Sequence, residues 1–524
     1  MTISVSRSVS LSWKRVLACL ASALLLLCLP AFAQSPRVDL QNGRALSANH
    51  SGDQAAVQAL AAGRAQPVSM ASEDVDADGV ADLVVGYSAP GGGIVAVYRG
   101  NLDAFAPQSH ASFLAIGRGE FPSPFRTDVR VFNVPVSPDF LAIGNFTGGG
   151  TPDLVMASRG GNAMYVFAGD GNGGFGAPKT INLQGAITAL AAGNFGKSLA
   201  TSVVLGLAGP NNSFSLSVYG GTPHGLAQPS SYPLNAAASS LAFGNLAGGS
   251  DIAVVSGGQV QIFSGSTRQL QTVSLPVDVS AVVLGSFIHD RNSGLQMALL
   301  ASDGGIHIAA HSGFDPRAYT AGEAKALGLA SMTAQSNAAA PVRTAPANQS
   351  WQIIESFASV APFSGAELPV LLRSRVSGNS SDDVLAFSPA AGQMSVISHA
   401  NPAAGAATFV PGGVSVSPNS GSPIAAISMR VNVNALPGVV LLHQGQLSPV
   451  IVPAPATHTY FVNDTADPAP AAVGTICNNT SAADLSSDCS LREAVIKSNN
   501  DGGSNTIMVA AGFYILTIGP PGGA

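Results

Sequence analysis

Hydrophobic and polar positions along the chain repeat one phrase. A short apolar run enters a Gly-Asn or Gly-Ser corner closed by Phe or Leu. A few polar residues follow, then a more hydrophobic run such as DLVMA (153–157) or DIAVV (251–255). A Gly-rich turn leads into an alternating run such as MYVFAG (164–169) or VQIFSG (260–265). Val, Ile and aromatic residues at period two, between Gly and Asn turns, predict strands. Each unit supplies three or four short strands paired antiparallel. One unit cannot bury its own apolar face, so the units must pack on one another.

Seven units are legible. Their second strands begin near Asp82, Asp153, Ser202, Asp251, Gln296, Asp383 and Pro437, at steps of 71, 49, 49, 45, 87 and 54 residues. Four of these six steps lie near 50, which marks a structural period. The 71-residue step carries an irregular insertion, FAPQSHASFLAIGRGEFPSPFRTD. The 87-residue step holds either an eroded unit around 350–363 or one long loop, with a short helix and polar loop over 323–349. Seven units of this size predict an all-β chain, a seven-bladed β-propeller over 69–452, where radial closure shields the strand edges. A β-sandwich or open solenoid is the competing architecture. Residues 34–68 read as a polar leader with one short helix, 453–459 as a linker, and 460–524 as a separate piece. In that piece TYFVN predicts a strand, SLREAVIKSNN a helix of about two turns, and NTIMVAAGFYILTI two more short strands.

Composition sharpens this picture. Charged residues are 10% of the 524 while hydrophobic ones are 46%, with 59 Gly, 34 Pro and a mean hydropathy of +0.31. That balance fits short strands and tight turns better than long charged helices or disorder. The first 33 residues stand apart. Arg7, Lys14 and Arg15 precede an apolar core over 16–29, and Ala31-Phe32-Ala33 offers small residues for cleavage, which predicts an export signal over 1–33. The apolar core is shorter than the roughly 20 residues of a spanning helix, and no other convincing span follows. Removing the signal takes three of the 23 basic residues and none of the 29 acidic ones, leaving a formal charge of −9. Nothing in that charge favours nucleic acid. The mature chain keeps only Cys477 and Cys489, twelve positions apart, which in an exported protein predicts one disulfide. The expected location is secreted or at the cell surface.

The stretch DVDADGVADLVVG (74–86) begins like an EF-hand loop. Asp74, Asp76 and Asp78 occupy positions 1, 3 and 5, Gly79 position 6, and Asp82 position 9. Position 12, which must carry a bidentate Glu, is Val85 in an apolar run, so the EF-hand reading fails. The repeats resemble the FG-GAP group, related to VCBS repeats, of integrin α-chain propellers and many exported bacterial proteins. The resemblance rests on the G-N-F…D-L-V core and on GNGGFGAP (171–178), and it covers roughly 69–452. It implies that a D-x-D-x-D-G-x-x-D turn holds calcium between two strands of one blade. The implied ligands are Asp74, Asp76, Asp78, the Val80 carbonyl and Asp82. Independently of any family, four carboxylates within nine residues repel one another, and a hard dication relieves that. The corresponding turns at Asn145–Asp153 and Asn245–Asp251 are too poor in charge for tight calcium binding; their side chains are expected to bond backbone amides instead. One structural calcium site is therefore expected.

Cys489-Ser490-Leu491-Arg492-Glu493-Ala494, with Cys477 upstream, resembles the CSLREA motif at the entrance of exported right-handed parallel β-helices. That implies a β-helix-like cap, followed in such proteins by further coils; over 460–524 there is room for about one. Arg492 and Glu493 are expected to serve as structural salt-bridge and hydrogen-bond partners. No nucleophile elbow, H-E-x-x-H or phosphate loop occurs. Together these readings predict a secreted or surface binding or adhesion protein rather than an enzyme, whose propeller loops engage an extracellular protein or polysaccharide. The alternatives are the non-catalytic part of a polysaccharide-directed enzyme, and a purely structural envelope protein.

Overall fold

The computed structural model of the chain describes residues 38–514, apart from 39, 41, 119, 196–199, 247–248, 335–349, 359–369, 389–391, 419–421, 435, 455–457, 468–476, 478–488, 502–504 and 510–511. The export signal expected over 1–33 and the last predicted strand, within 515–518, lie outside the described residues.

The chain forms a seven-bladed β-propeller. Each blade is built on four antiparallel strands, the first of which faces the central axis. The second strands begin at Asp82, Asp153, Thr201, Asp251, Gln296, Asp383 and Gly438, at or beside the positions that set the sequence period. These strands read as unbroken apolar runs because both faces are buried, and successive residues point to opposite neighbours. Val84 packs with Leu154 and Met156 of blade two, while Val85 packs with Val440 and Leu442 of blade seven. Val254 likewise packs towards blade three and Val255 towards blade five. Seven such apolar clusters fill the seven spaces between blades. Outer strands are half-solvated, as in Phe175–Asn182, and so look polar in sequence.

Both long steps are insertions. Between the third and fourth strands of blade one lies a helix, α1 (His110–Gly117), where the sequence looked irregular. In blade five, Trp351–Phe357 is the outer strand, paired with Ile306–His311. The 87-residue step therefore hides no extra blade; it holds a long connection that begins with helix α2 (Ala321–Ala334).

Residues 44–68, set apart as a leader in sequence, belong to the ring. Arg44–Ala45 supply the outer strand of blade seven, pairing antiparallel with Val450 and Ile451. Asn49–Gly52 adds a parallel fifth strand to blade one. A helix over Gln54–Ala61, capped by Asp53, buries Ala56 and Leu60 beside Tyr87. Gln66 already starts the first strand of blade one. The two ends of the propeller sequence thus meet in one blade, and the ring closes on itself.

The C-terminal piece sits against the propeller. His458–Val462 pairs in parallel with Asn505–Val509, and a helix runs over Leu491–Asp501. Phe461 and Met508 pack on Ile116, Phe113 and Phe121 of the blade-one insertion and on Val433 of blade seven. Cys477 and Cys489 form the expected disulfide. Ser490 and Glu493 make a reciprocal capping box at the start of the helix: the Ser490 N–H donates to Glu493 Oε2 at 2.9 Å, and the Glu493 N–H to Ser490 Oγ at 3.3 Å. Arg492 forms a bidentate pair with Asp467. These two residues do structural work here.

Candidate metal centre

The turn between the first two strands of blade one brings Asp74, Asp76 and Asp78 together, with one oxygen of each within 4.8 Å of the others. The backbone makes this possible. Ala77 and Gly79 both take positive φ, 57° and 89°, folding the turn tightly enough for alternate carboxylates to converge. Asp74 closes the turn by accepting from the Asp78 N–H at 3.1 Å and the Gly79 N–H at 2.9 Å. Val80 is buried, and its N–H donates to Asp78 Oδ1 at 2.9 Å.

Two carboxylate oxygens in this group, Asp76 Oδ1 and Asp78 Oδ2, are buried without a hydrogen-bond partner. Burial first, then repulsion from Asp78, pushes the Asp76 carboxyl above its ordinary value. Arg99 and Arg126 approach at 3.9 Å from Asp76 and 3.5 Å from Asp78, beyond hydrogen-bonding reach, while Arg99 is bonded to Asp128 at 2.6 Å. A hard dication fits this donor set: it would satisfy the orphaned oxygens and offset the repulsion.

Asp82 does not join the group. It is fully buried, and both oxygens are engaged: Oδ2 accepts from the Val75 N–H at 2.8 Å and Oδ1 from the Gly100 N–H at 2.6 Å. This is the role of the repeat's anchor. Asp153 accepts from the N–H groups of Phe146 (2.8 Å), Thr147 (2.6 Å) and Gly169 (3.0 Å), and from the Thr147 hydroxyl. Asp251 accepts from Leu246 and Gly265. Gln296 replaces it in blade five, accepting from Ile288, and Ser202 in blade three, accepting from Gly221. The anchor ties the first turn of a blade to its second strand or to the end of its third. The sequence period therefore tracks a hydrogen-bond device, and the carboxylate cluster is an addition to one copy. As expected for the weaker turns, Asn145 Oδ1 accepts from the Gly148 N–H.

The anchor of blade six carries a pH signature. Burial pushes the Asp383 carboxyl up to about 6, against the bonds from Ser377 that favour its charge. Its folded value lies above the unfolded one, so its stabilising contribution is complete below about pH 4 and is lost as pH rises through about 6. The expected loss is of order 3 kcal/mol. Asp383→Asn should flatten the dependence of the urea midpoint on pH between 4 and 6; parallel profiles for the two proteins would refute the assignment.

Sequence reasoning missed the axial channel. A cavity of about 950 Å³ opens where the first strands begin, on the face opposite the acidic turn, and residues from all seven blades line it. Arg159 stands at its mouth, its guanidinium 4.5 Å from the Phe140 ring centroid and bonded to the Thr188 carbonyl at 2.8 Å. The available signal was Arg159 itself, the lone cation among the turns that join second to third strands.

Neither a protein-family model nor a curated protein sequence matches the chain. Solved structures do. Two crystal structures of BBS1N in complex with ARL6DN, one soaked with mercury and one with lead, are each 11% identical to it. Each covers 81% of this chain and 99% of that one, with a TM-score of 0.44. The structure of the Dos1 propeller is 9% identical and covers 71% of this chain and 74% of that one, with a TM-score of 0.37. These likenesses concern fold alone. Among the described residues, no helix is long and apolar enough to cross a membrane.

Proposed function

We propose that the chain is an exported binding protein, an FG-GAP-type propeller that engages an extracellular protein or polysaccharide through loops on one rim. One of its turns is stiffened by calcium. The observation that carries the reading is the mounting of the turns. Buried anchor side chains in five blades hold the first turns on a closed ring, and loops on a rigid scaffold are where binding residues concentrate. The disulfide and the N-terminal signal pattern favour an oxidising, extracellular setting.

Calcium is assigned to Asp74, Asp76 and Asp78, with the Val80 carbonyl as a further oxygen and Asp82 supporting the turn from behind. When bound, the ion supplies charge neutralisation and no chemistry. At a hundredfold excess over its dissociation constant it should stabilise the fold by about 2.7 kcal/mol. The melting temperature is expected to rise with calcium and fall with chelator, and Asp76→Ala should abolish the response. In chelator Asp76→Ala should be no less stable than the parent, since it also removes a buried, repelled carboxylate. A parent melt indifferent to calcium would end this assignment.

The binding function itself is tested by screening the folded protein against glycan arrays and extracellular protein libraries. Captured ligands should be lost on substitution of rim loops and kept on substitution of outer-strand residues. One observation favours a second reading, the start of a β-helix in a polysaccharide-directed protein: His458–Val462 and Asn505–Val509 run parallel, as successive coils do. In-frame coils with clustered acids beyond codon 524 would support that reading, and a stop codon there would remove it for this polypeptide.

A further inference from the structure

The mouth of the axial channel is built by a repeated irregularity. In five blades the first strand carries a register shift near its start, skipping Val68, Thr188, Ser239, Ser280 and Ile424. All five skipped residues line the channel. A bulge re-aims the side chain it displaces, and here each displaced residue lies on the cavity. The wall this makes is two-sided. Blades three, four and five contribute the hydroxyl residues Thr188, Ser239 and Ser280; blades seven and one contribute Ile424, Val68 and Met70.

One charge stands on each side of the polar arc. Arg159, in blade two, makes no ion pair among the described residues and spends one donor on the Thr188 carbonyl. The nearby Asp139 attracts it through space but makes no direct ion pair with it, its oxygens accepting from the Ser137 and Ser158 hydroxyls and from the Arg159 main-chain N–H. Asp278, in blade five, is exposed. Its carboxylate lies against Gly258 in the turn of blade four, where a φ of +76° favours glycine. The Ser302 N–H donates to the Asp278 carbonyl and the Val279 N–H to that of Gly258, which fixes the segment between two hairpins. Blades two and five are three steps apart in a ring of seven, about 150° around the axis. The guanidinium reaches over to Thr188 of blade three and the carboxylate to Gly258 of blade four, so the two opposite charges stand apart along one mouth.

We infer that the channel mouth is a binding site for a short extended peptide, whose carboxylate meets Arg159 and whose ammonium meets Asp278. The main chain between them would run past the hydroxyl arc, and small apolar side chains would rest on Val68, Met70 and Ile424. The cavity volume suits such a ligand. The site is separate from the rim loops and from the acidic turn, which lies on the other face, so it stands or falls independently of both.

The test is titration calorimetry of the full mature chain with oligoalanines of two to six residues, which span about 3.3–3.6 Å per residue. Each is used with free termini, N-acetylated, and C-amidated. One length should bind best, and blocking either terminus should weaken it about tenfold, as expected for loss of a roughly 1.4 kcal/mol contact. Arg159→Gln should erase the penalty of C-amidation while keeping that of N-acetylation; Asp278→Asn should do the reverse. Both side chains are exposed, so the melt of each variant should match the parent. Equal binding of blocked and free peptides, or no binding of any length at millimolar concentration, would overturn the inference.

Discussion

Replacing Asp153 by alanine is expected to lower the unfolding free energy by about 3–5 kcal/mol, at the upper end for a single substitution. The cause is local. Asp153 is fully buried, and three main-chain N–H groups and one hydroxyl converge on its carboxylate. Alanine leaves those donors without an acceptor, at about 1–3 kcal/mol for each that water cannot reach. Asp153→Asn keeps one acceptor oxygen and should lose less. Asp170 provides the control. It accepts from the Asn172 and Gly174 N–H groups, both at 2.8 Å, but from an exposed loop. Water replaces it there, and Asp170→Ala should cost under about 1 kcal/mol. Denaturant midpoints for the three variants, with the slope checked for constancy, decide the matter. If Asp153→Ala costs no more than Asp170→Ala, the anchors are not what holds the turns.

The same residue shows how far the sequence could be read. Asp153 marked the repeat because an Asp before an apolar run is easily seen, and the period of about 50 residues gave the blades and their number. What the sequence hid was the function of the mark. In blade one the anchor Asp82 lies four residues beyond Asp78 and fits a ligand register, so it looked like part of the acidic cluster. Only the three-dimensional placement separates a carboxylate bonded to Val75 and Gly100 from three that face one another. Two further features were hidden for a different reason. Helix α1 escaped because its insertion has no polar and apolar periodicity, and Arg44–Ala45 because a two-residue strand has no period at all. The channel charges belong to hairpin turns far apart in sequence, and only ring closure brings them to one mouth.

Removing the chain up to residue 47 is expected to destabilise the ring by about 5 kcal/mol and to make it self-associate. The described residues among them complete blade seven. Arg44 and Ala45 cover the edge of Val450–Val452, and the Leu46 N–H donates to the Pro449 carbonyl at 2.8 Å. Leu46 is buried beside Val440 and Ile451 of blade seven and Tyr87 of blade one, and Val38 is buried between blades six and seven. Losing one buried Leu and one buried Val withdraws about 3–5 kcal/mol of burial, and the edge bonds add to it. The bared strand is short, apolar and uncharged, which favours pairing with another molecule. A point substitution should reproduce part of the effect. A Cβ at Gly43 would lie 2.6 Å from Val450 Cγ1, so Gly43→Val should pry the closing strand from its partner. Thermal melts and analytical ultracentrifugation read both consequences. A synthetic peptide of residues 38–47 added in trans should restore the melt and the monomer, because a strand binding a preformed edge acts on the folded state alone. A truncated protein that stayed monomeric with an unshifted melt would mean that the blade-to-blade apolar clusters hold the ring without its closing strand.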